Sequence, residues 1–272
     1  MPVTAEDPLA AWRLAEEPFY RGVGTEQQAF EAAASARLPL LLTGPTGCGK
    51  TRFIEHMAWR MGRPLVTVAC HEDLTAGDLT GRWLLDADGT RWQDGPLALA
   101  ARFGAICYLD ELVEARSDAL VVVHPLADTR RVLPLERRGE LLRAHPDFLL
   151  VASCNPNTGG LHKALKASTR QRFAGLAFDY PEAQAETAIV AHEGGVEAVL
   201  AARLVALGQR TRRLRDEGLE EGASTRLLVH AAQLMRAGLP PRQACLVAVA
   251  APLTDEPELA LVLAELVDAS FA

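Results

Sequence analysis

The segment Gly44-Pro-Thr-Gly-Cys-Gly-Lys-Thr51 has the residue types and spacing of a loop that binds phosphate groups. Its glycines allow the backbone to turn so that N–H groups, together with the positive end of the following helix, surround a phosphate. Lys50 could then neutralise phosphate oxygens, and the hydroxyl of Thr51 could hold Mg²⁺. The motif predicts ATP and Mg²⁺ as cofactors. The predicted nucleotide contacts are Gly44, Pro45, Thr46, Gly47, Cys48, Gly49, Lys50 and Thr51.

Two acidic residues follow an apolar run about 60 residues after this loop. Asp110 could orient Mg²⁺, and Glu111 could position the attacking water or accept its proton. Acidic pairs after strands also occur as solvated turns, so the interpretation depends on the phosphate loop. A Glu directly after the Asp favours hydrolysis over the chemistry of a nucleotide or small-molecule kinase, which remains an alternative class.

Three further polar residues could complete a hydrolytic site. Asn155 ends another apolar run, and at the carboxyl edge of a parallel sheet its amide could hold the attacking water. Alternatively, Asn155 only begins the Asn-Pro turn with Pro156. Arg170 and Arg172 precede the next apolar run, where a guanidinium could reach the γ-phosphate bound to an adjacent subunit.

The elements that must position these residues are predicted from five short apolar runs that alternate with helical patterns. Such runs are typical of parallel strands covered on both faces. They span residues 38–42, 65–69, 105–109, 148–153 and 175–178. Beyond residue 180 the pattern is helical only, at 182–192, 196–215, 224–237, 241–250 and 257–270, with Ser224 as a helix N-cap. We therefore expect an α/β nucleotide-binding domain over 1–180 and an all-α lid over 181–272.

Composition excludes some classes of protein. The 272 residues are 49% hydrophobic and 23% charged, and the net charge of −7 argues against a general nucleic-acid binder. The arginine-rich segment 210–215 is predicted to be a solvated helix face rather than a nucleic-acid contact. Five scattered cysteines and an acidic start without a leader predict a cytoplasmic protein. No apolar run approaches the ~20 residues that a membrane span needs.

The motifs together resemble those of the AAA+ ATPases, and within them the MoxR branch, over nearly the whole chain. The resemblance implies a five-stranded parallel core of order 5-1-4-3-2, a helical lid, and a homo-hexameric ring. Each ATP site of such a ring is completed by an arginine finger of the next subunit. The resemblance assigns Walker B to Asp110 and Glu111, sensor 1 to Asn155, the finger to Arg172 or Arg170, and sensor 2 to Arg226.

Two insertions support the MoxR branch. Residues of about 78–95 look like the helix-2 insert, and residues of about 130–147 look like the pre-sensor-1 hairpin. In such rings these elements face the pore or a partner, so Trp83 is either an exposed contact residue or packed under the insert. Val23 and Gly24 resemble the segment that lies against adenine, although an ordinary turn before a helix is the alternative.

The run from Gly95 to Arg116 is similar to the CbbQ/NirQ/NorQ subgroup, in which Val-Glu-Ala-Arg follows the Asp-Glu pair. The resemblance implies an adaptor with a von Willebrand factor A domain (CbbO-like) and a client enzyme. The client would be Rubisco, which is freed of inhibitory sugar phosphates, or nitric oxide reductase during maturation. The motor motifs do not separate these clients; Rubisco is the one we predict. A nucleotide-dependent scaffold with little hydrolysis is a further alternative.

Overall fold

The computed structural model describes residues 7–22, 24–87, 89–155 and 165–271, apart from the side chains of Asp216 and Glu217. Within these residues the strands are β1 (Leu40–Thr43), β2 (Leu65–Ala69), β3 (Gly81–Asp86), β4 (Gly89–Asp94), β5 (Ile106–Asp110), β6 (Val132–Leu135), β7 (Glu140–Arg143), β8 (Leu149–Cys154) and β9 (Ala174–Ala177).

Five of these strands form one parallel sheet in the order β2-β5-β8-β1-β9. Numbered along the chain and read from the other edge, the order is 5-1-4-3-2, so the predicted fold class is confirmed. Strand β8 is buried along its whole length, and β5 is buried up to its last residue. Burial on both faces explains why these strands read as continuous apolar runs.

The helices of the α/β part are short and lie between the strands. They are α1 (Glu26–Ser35), α2 (Lys50–Arg60), α3 (Ala76–Thr80), α4 (Pro96–Phe103), α5 (Ser117–Val123) and α6 (Ala167–Arg170). Helix α4 has Pro96 in its first turn and ends at Gly104, which adopts a positive φ of 84°. This arrangement is common because Pro needs no N–H partner at a helix start and Gly tolerates the left-handed conformation at its end.

Two antiparallel hairpins stand outside the central sheet. The insert predicted at about 78–95 contains the hairpin β3–β4, and the segment predicted at about 130–147 contains the hairpin β6–β7. The Trp83 indole is half exposed and donates a hydrogen bond to the carbonyl oxygen of Arg137 at 2.9 Å. Arg102 of α4 bonds Asp94 of one hairpin and Glu140 of the other, each at 2.7 Å. These bonds join the two hairpins.

The remaining helices follow β9. They are α7 (Ala183–Gly194), α8 (Ala198–Arg213), α9 (Thr225–Arg236), α10 (Pro241–Cys245), which continues as a π-helix over Leu246–Ala250, and α11 (Pro257–Phe271). Ser224 caps α9 as predicted, since its hydroxyl accepts a hydrogen bond from the Leu227 N–H at 3.4 Å. Among the described residues, no helix is both long enough and apolar enough to traverse a bilayer.

The chain divides into two compact units. The first comprises the described residues of 1–18, 24–44 and 50–177, and the second comprises those of 19–23, 45–49 and 178–272. Each has its own apolar core, around Leu109 and Leu150 in the first unit and around Leu204 and Leu228 in the second. The sequence-based division at residue 180 differs from these units, because it places 19–23 and 45–49 in the first domain. The domain boundary at residue 180 therefore stays a prediction.

Candidate ATP-binding and hydrolysis site

The phosphate loop joins the end of β1 to the start of α2, so that Lys50 is the first helical residue. Gly47 and Gly49 have φ angles of 67° and 103°, which residues with a Cβ rarely adopt. The Lys50 Nζ donates a hydrogen bond to the carbonyl oxygen of Gly44 at 2.8 Å. The loop therefore turns back on itself and leads into a helix N-terminus, a geometry that favours bound anions.

The start of the loop is fixed to the central sheet. Thr43 pairs with Cys154 in the parallel register of β1 and β8, and the Gly44 N–H donates to the carbonyl oxygen of Cys154 at 3.3 Å. Burial raises the pKa of the Cys154 thiol, although the nearby charges of Lys50 and Arg170 oppose the rise. The end of β8 is therefore close to two positive charges.

Within the second unit, the middle of the loop packs against the first turn of α9. A Cβ built on Gly47 would lie 2.7 Å from the Cβ of Ser224 and 3.4 Å from that of Arg226. The Tyr180 hydroxyl donates to the carbonyl oxygen of Thr46 at 3.2 Å. This unit thus places the exposed Arg226, the predicted sensor 2 residue, beside the loop.

Asp110, the last residue of β5, accepts two hydroxyl hydrogen bonds on the same oxygen. Tyr108 and Ser153 each donate to its Oδ1 at 2.6 Å. The Tyr108 hydroxyl also lies 3.4 Å from the Oγ1 of Thr51. Burial, and then the charge of Asp110, raises the pKa of Tyr108 well above its usual value, so the phenol stays protonated and can donate. The two predicted Mg²⁺ ligands, Thr51 and Asp110, are therefore linked through one tyrosine.

Glu111 follows directly and is exposed, so its carboxylate is accessible to water. Its backbone is left-handed, with φ 56° and ψ 49°. Its N–H donates to the Oγ of Ser153 at 2.9 Å. The two acids are thus held by one serine on the neighbouring strand.

Asn155 follows β8 immediately and is buried. Because β8 lies between β5 and β1, the carboxyl ends of these strands bring Asp110, Asn155 and the start of the phosphate loop to one edge of the sheet. Ligands of open α/β sheets bind at this edge. The catalytic role of Asn155 stays a prediction.

The two arginines proposed as the finger have different surroundings. Arg170 ends α6 and is exposed, with its charge acting on Cys154. Arg172 is partly buried, and its Nη1 donates to the carbonyl oxygen of Ser168. Its Nε is buried and has no hydrogen-bond partner within the part of the chain that the structure describes. Burial, and then the charge of Arg172, lowers the pKa of His124.

The predicted adenine segment is only partly described. Val23 lies outside the described residues. Gly24 is exposed just before α1, and its contact with adenine stays a prediction. Within the second unit, Phe19 stacks on His192 with ring centroids 3.8 Å apart, an aromatic pair that the sequence did not indicate.

Sequence reasoning missed a buried ion pair in the second unit. Glu186 is fully buried and accepts bonds from Arg212 Nη1 and Nη2 at 2.8 and 2.6 Å and from the Thr225 hydroxyl at 2.6 Å. The Arg212 guanidinium also lies over the Tyr180 ring, 3.8 Å from its centroid. The prediction of a solvated face over 210–215 is therefore wrong for Arg212.

The residues present fit the chemistry of Mg-ATP. A lysine ammonium and the N–H groups at a helix start suit phosphate oxygens. Hard divalent cations prefer oxygen ligands, which the hydroxyl of Thr51 and the carboxylate of Asp110 would supply.

Comparisons with known proteins agree with this geometry. Residues 39–173 match a family model described as "AAA domain (dynein-related subfamily)", and residues 186–270 match one described as "CbbQ/NirQ/NorQ C-terminal". The chain is 58% identical to "Protein CbbQ" of Hydrogenophilus thermoluteolus, over 89% of this chain and 91% of that protein. It is also 58% identical to "Denitrification regulatory protein NirQ" of Pseudomonas aeruginosa, over 92% of this chain and 96% of that protein.

Among solved structures, a mutant of RuvB from Thermotoga maritima superimposes with a TM-score of 0.52 at 16% identity, over 90% of this chain and 70% of that one. At this identity the likeness shows the fold alone. The fold, the phosphate loop and the family matches together identify the chain as an ATP hydrolase of the AAA+ class. Within that class, the chain belongs to the CbbQ/NirQ/NorQ family.

Proposed function

We propose that this chain is a ring-forming motor that uses Mg-ATP hydrolysis to remodel a client enzyme through an adaptor with a von Willebrand factor A domain, with Rubisco as the client. The observation that carries the hydrolytic part is the connection of Thr51 to Asp110 through the Tyr108 hydroxyl, with Glu111 directly after Asp110. This connection joins Thr51, the last residue of the phosphate loop, to the acidic pair within the first unit.

Each residue has a separate task in the proposed site. Lys50 and the loop N–H groups bind the β- and γ-phosphates, and Thr51 and Asp110 would hold Mg²⁺. Bound Mg²⁺ supplies neutralisation of charge on the phosphate oxygens. Glu111 positions the attacking water and accepts its proton, while Asn155 orients that water. Arg226, which lies beside Gly47 of the loop, contacts the nucleotide.

Substitution of Glu111 tests the hydrolytic role. Glu111→Gln keeps the shape of the side chain but removes its basicity, so phosphate release should fall at least about 100-fold while ATP still binds. Glu258→Gln, an exposed change in the first turn of α11, is the matched control and should retain activity. Unchanged phosphate release by Glu111→Gln would refute the assignment. Negligible turnover by the wild-type chain would favour the scaffold alternative.

The arginine finger acts in trans in this proposal, and mixing experiments can test it. Arg172→Ala should abolish hydrolysis while leaving ATP binding largely intact, because its guanidinium would serve the neighbour's phosphate. Mixing Arg172→Ala with Glu111→Gln should restore activity at about one quarter of the interfaces, where an intact Glu111 meets an intact Arg172. Sizing with ATP should show a homo-hexamer. A greater loss with Arg170→Ala, or no recovery on mixing, would reject Arg172 as the finger.

The client is tested by reconstitution. Similarity to CbbQ supports Rubisco, whereas equal identity to NirQ supports a second candidate, the maturation of nitric oxide reductase. The chain, the candidate adaptor and ATP should reactivate Rubisco inhibited by a sugar phosphate, and the Glu111→Gln variant should not. Failure with Rubisco but success in activating nitric oxide reductase would establish the second candidate.

A further inference from the structure

One serine connects the two strands that carry the predicted hydrolytic residues. Ser153 is fully buried in β8, two positions before Asn155. Its hydroxyl donates to Asp110 Oδ1 at 2.6 Å and accepts from the Glu111 N–H at 2.9 Å. The hydroxyl therefore acts as a donor to Asp110 and as an acceptor from Glu111, two adjacent residues at the end of the neighbouring strand.

The backbone of Glu111 needs such support. Its φ of 56° and ψ of 49° lie in the left-handed region, which is unfavourable for a residue with a Cβ. Conformations of this kind persist where the surroundings hold them in place. The hydrogen bond to Ser153 is made by the N–H of Glu111 itself. Loss of the bond would release the backbone that directs the Glu111 side chain.

The contact also limits the carboxylate of Asp110. Ser153 and the fully buried Tyr108 both donate to Oδ1, so Oδ2 takes part in neither bond. Two short donors on one oxygen fix the rotation of the carboxylate. The same serine thus sets the orientation of Asp110 and the backbone of Glu111.

We propose that Ser153 is a positioning residue for ATP hydrolysis, which holds Glu111 in its left-handed conformation and Asp110 in a fixed rotation. This inference rests on the proposed role of Glu111. Ser153 contacts neither nucleotide nor water in this proposal; it acts through the two acids. If the Ser153 hydroxyl made these bonds only because it is buried and needs hydrogen-bond partners, its removal would change the stability of the protein and leave the rate of the chemical step unchanged.

The test uses the full chain with Ser153→Ala, Ser153→Thr and a control. Ser153→Ala should lower kcat about 10- to 100-fold while the Kd for ATP stays within about twofold, because only the geometry of the acids changes. Ser153→Thr retains the hydroxyl and should recover most of kcat. Thr80→Val removes a buried hydroxyl that bonds within its own helix, to the Ala76 carbonyl, and should retain kcat.

A second measurement does not depend on turnover. Amide exchange at Glu111 in the nucleotide-free chain should be about fivefold faster in Ser153→Ala, because the N–H loses its hydrogen-bond acceptor, a change of ~1 kcal/mol at about 1.4 kcal/mol per factor of ten. Ser153→Thr should restore the slower exchange. If Ser153→Ala does not fold, Ser153→Cys carries the same expectation, since a thiol keeps the volume but bonds weakly.

The outcomes separate this inference from the proposed function. Unchanged kcat and unchanged Glu111 exchange in Ser153→Ala would overturn the inference, even where Glu111→Gln abolishes hydrolysis. Unchanged hydrolysis in Glu111→Gln would overturn the proposed role of Glu111 and the catalytic part of the inference with it. In that case faster exchange at Glu111 in Ser153→Ala would still support the backbone contact.

Discussion

Replacing Arg212 by Met should destabilise the second unit strongly. Glu186 is fully buried and accepts three hydrogen bonds, two of them from the Arg212 guanidinium. Met fills part of the same volume but leaves the carboxylate without its charge partner. Removing one member of a buried ion pair costs about 3–5 kcal/mol. At about 1.4 kcal/mol per factor of ten, this corresponds to about 10²- to 10⁴-fold faster opening.

Amide hydrogen exchange in peptides from α8 and α9 measures this opening in the full chain. The slowest amides of α9 should exchange faster by the stated factor, whereas Arg213→Met, an exposed neighbour, should change the opening free energy by less than about 0.5 kcal/mol. The double variant Arg212→Met with Glu186→Met should be more stable than Arg212→Met alone, because no buried charge remains. A change below about 1 kcal/mol in Arg212→Met, or a double variant less stable than the single one, would refute the reasoning.

Gly47→Ala should abolish binding of a fluorescent ATP analogue, because the new Cβ would lie 2.7 Å from the Ser224 side chain and the backbone φ of 67° disfavours a residue with a Cβ. Gly175→Ala is the control, since its Cβ would enter open space, and this variant should bind normally. Arg102→Ala should speed amide exchange in both hairpins at least about tenfold by removing the charged hydrogen bonds to Asp94 and Glu140. Arg91→Ala breaks only an exposed ion pair and is its control. Burial raises the pKa of the Cys70 thiol to about 12, so Cys70 in the native protein should resist iodoacetamide at pH 8. Rapid labelling of Cys70 at pH 8 would contradict this assignment. Because the folded protein holds the Cys70 proton more tightly than the unfolded chain does, the free energy of unfolding should fall as pH rises from about 9 to about 12.

The central sheet was predictable because its strands are short apolar runs with little ambiguity of type. The run 65–69 coincides with β2, while the run 105–109 is displaced by one residue from β5. The displacement arises because Asp110 pairs with Ala69 and so remains in the strand. A polar residue at a strand end carries no hydropathy signal for belonging to the strand.

The contacts around the acidic pair could not be predicted from the sequence. Tyr108 and Ser153 lie in apolar runs and resemble ordinary core positions. Their meeting at Asp110 depends on the adjacency of β5 and β8, which the resemblance implied, and on the register that pairs Leu109 with Ala152, which it did not. The ion pair of Glu186 and Arg212 was missed for a related reason, since each charge alone suggests an exposed helix face.

The interleaving of the two units has a consequence for exchanging parts between relatives. Residues 45–49 belong to the second unit, although residues 44 and 50 belong to the first. A chimera that takes residues 178–272 from another family member would pair a foreign Ser224 and Tyr180 with the resident Gly47 and Thr46. We therefore expect functional lid exchanges to require residues 45–49 from the same donor.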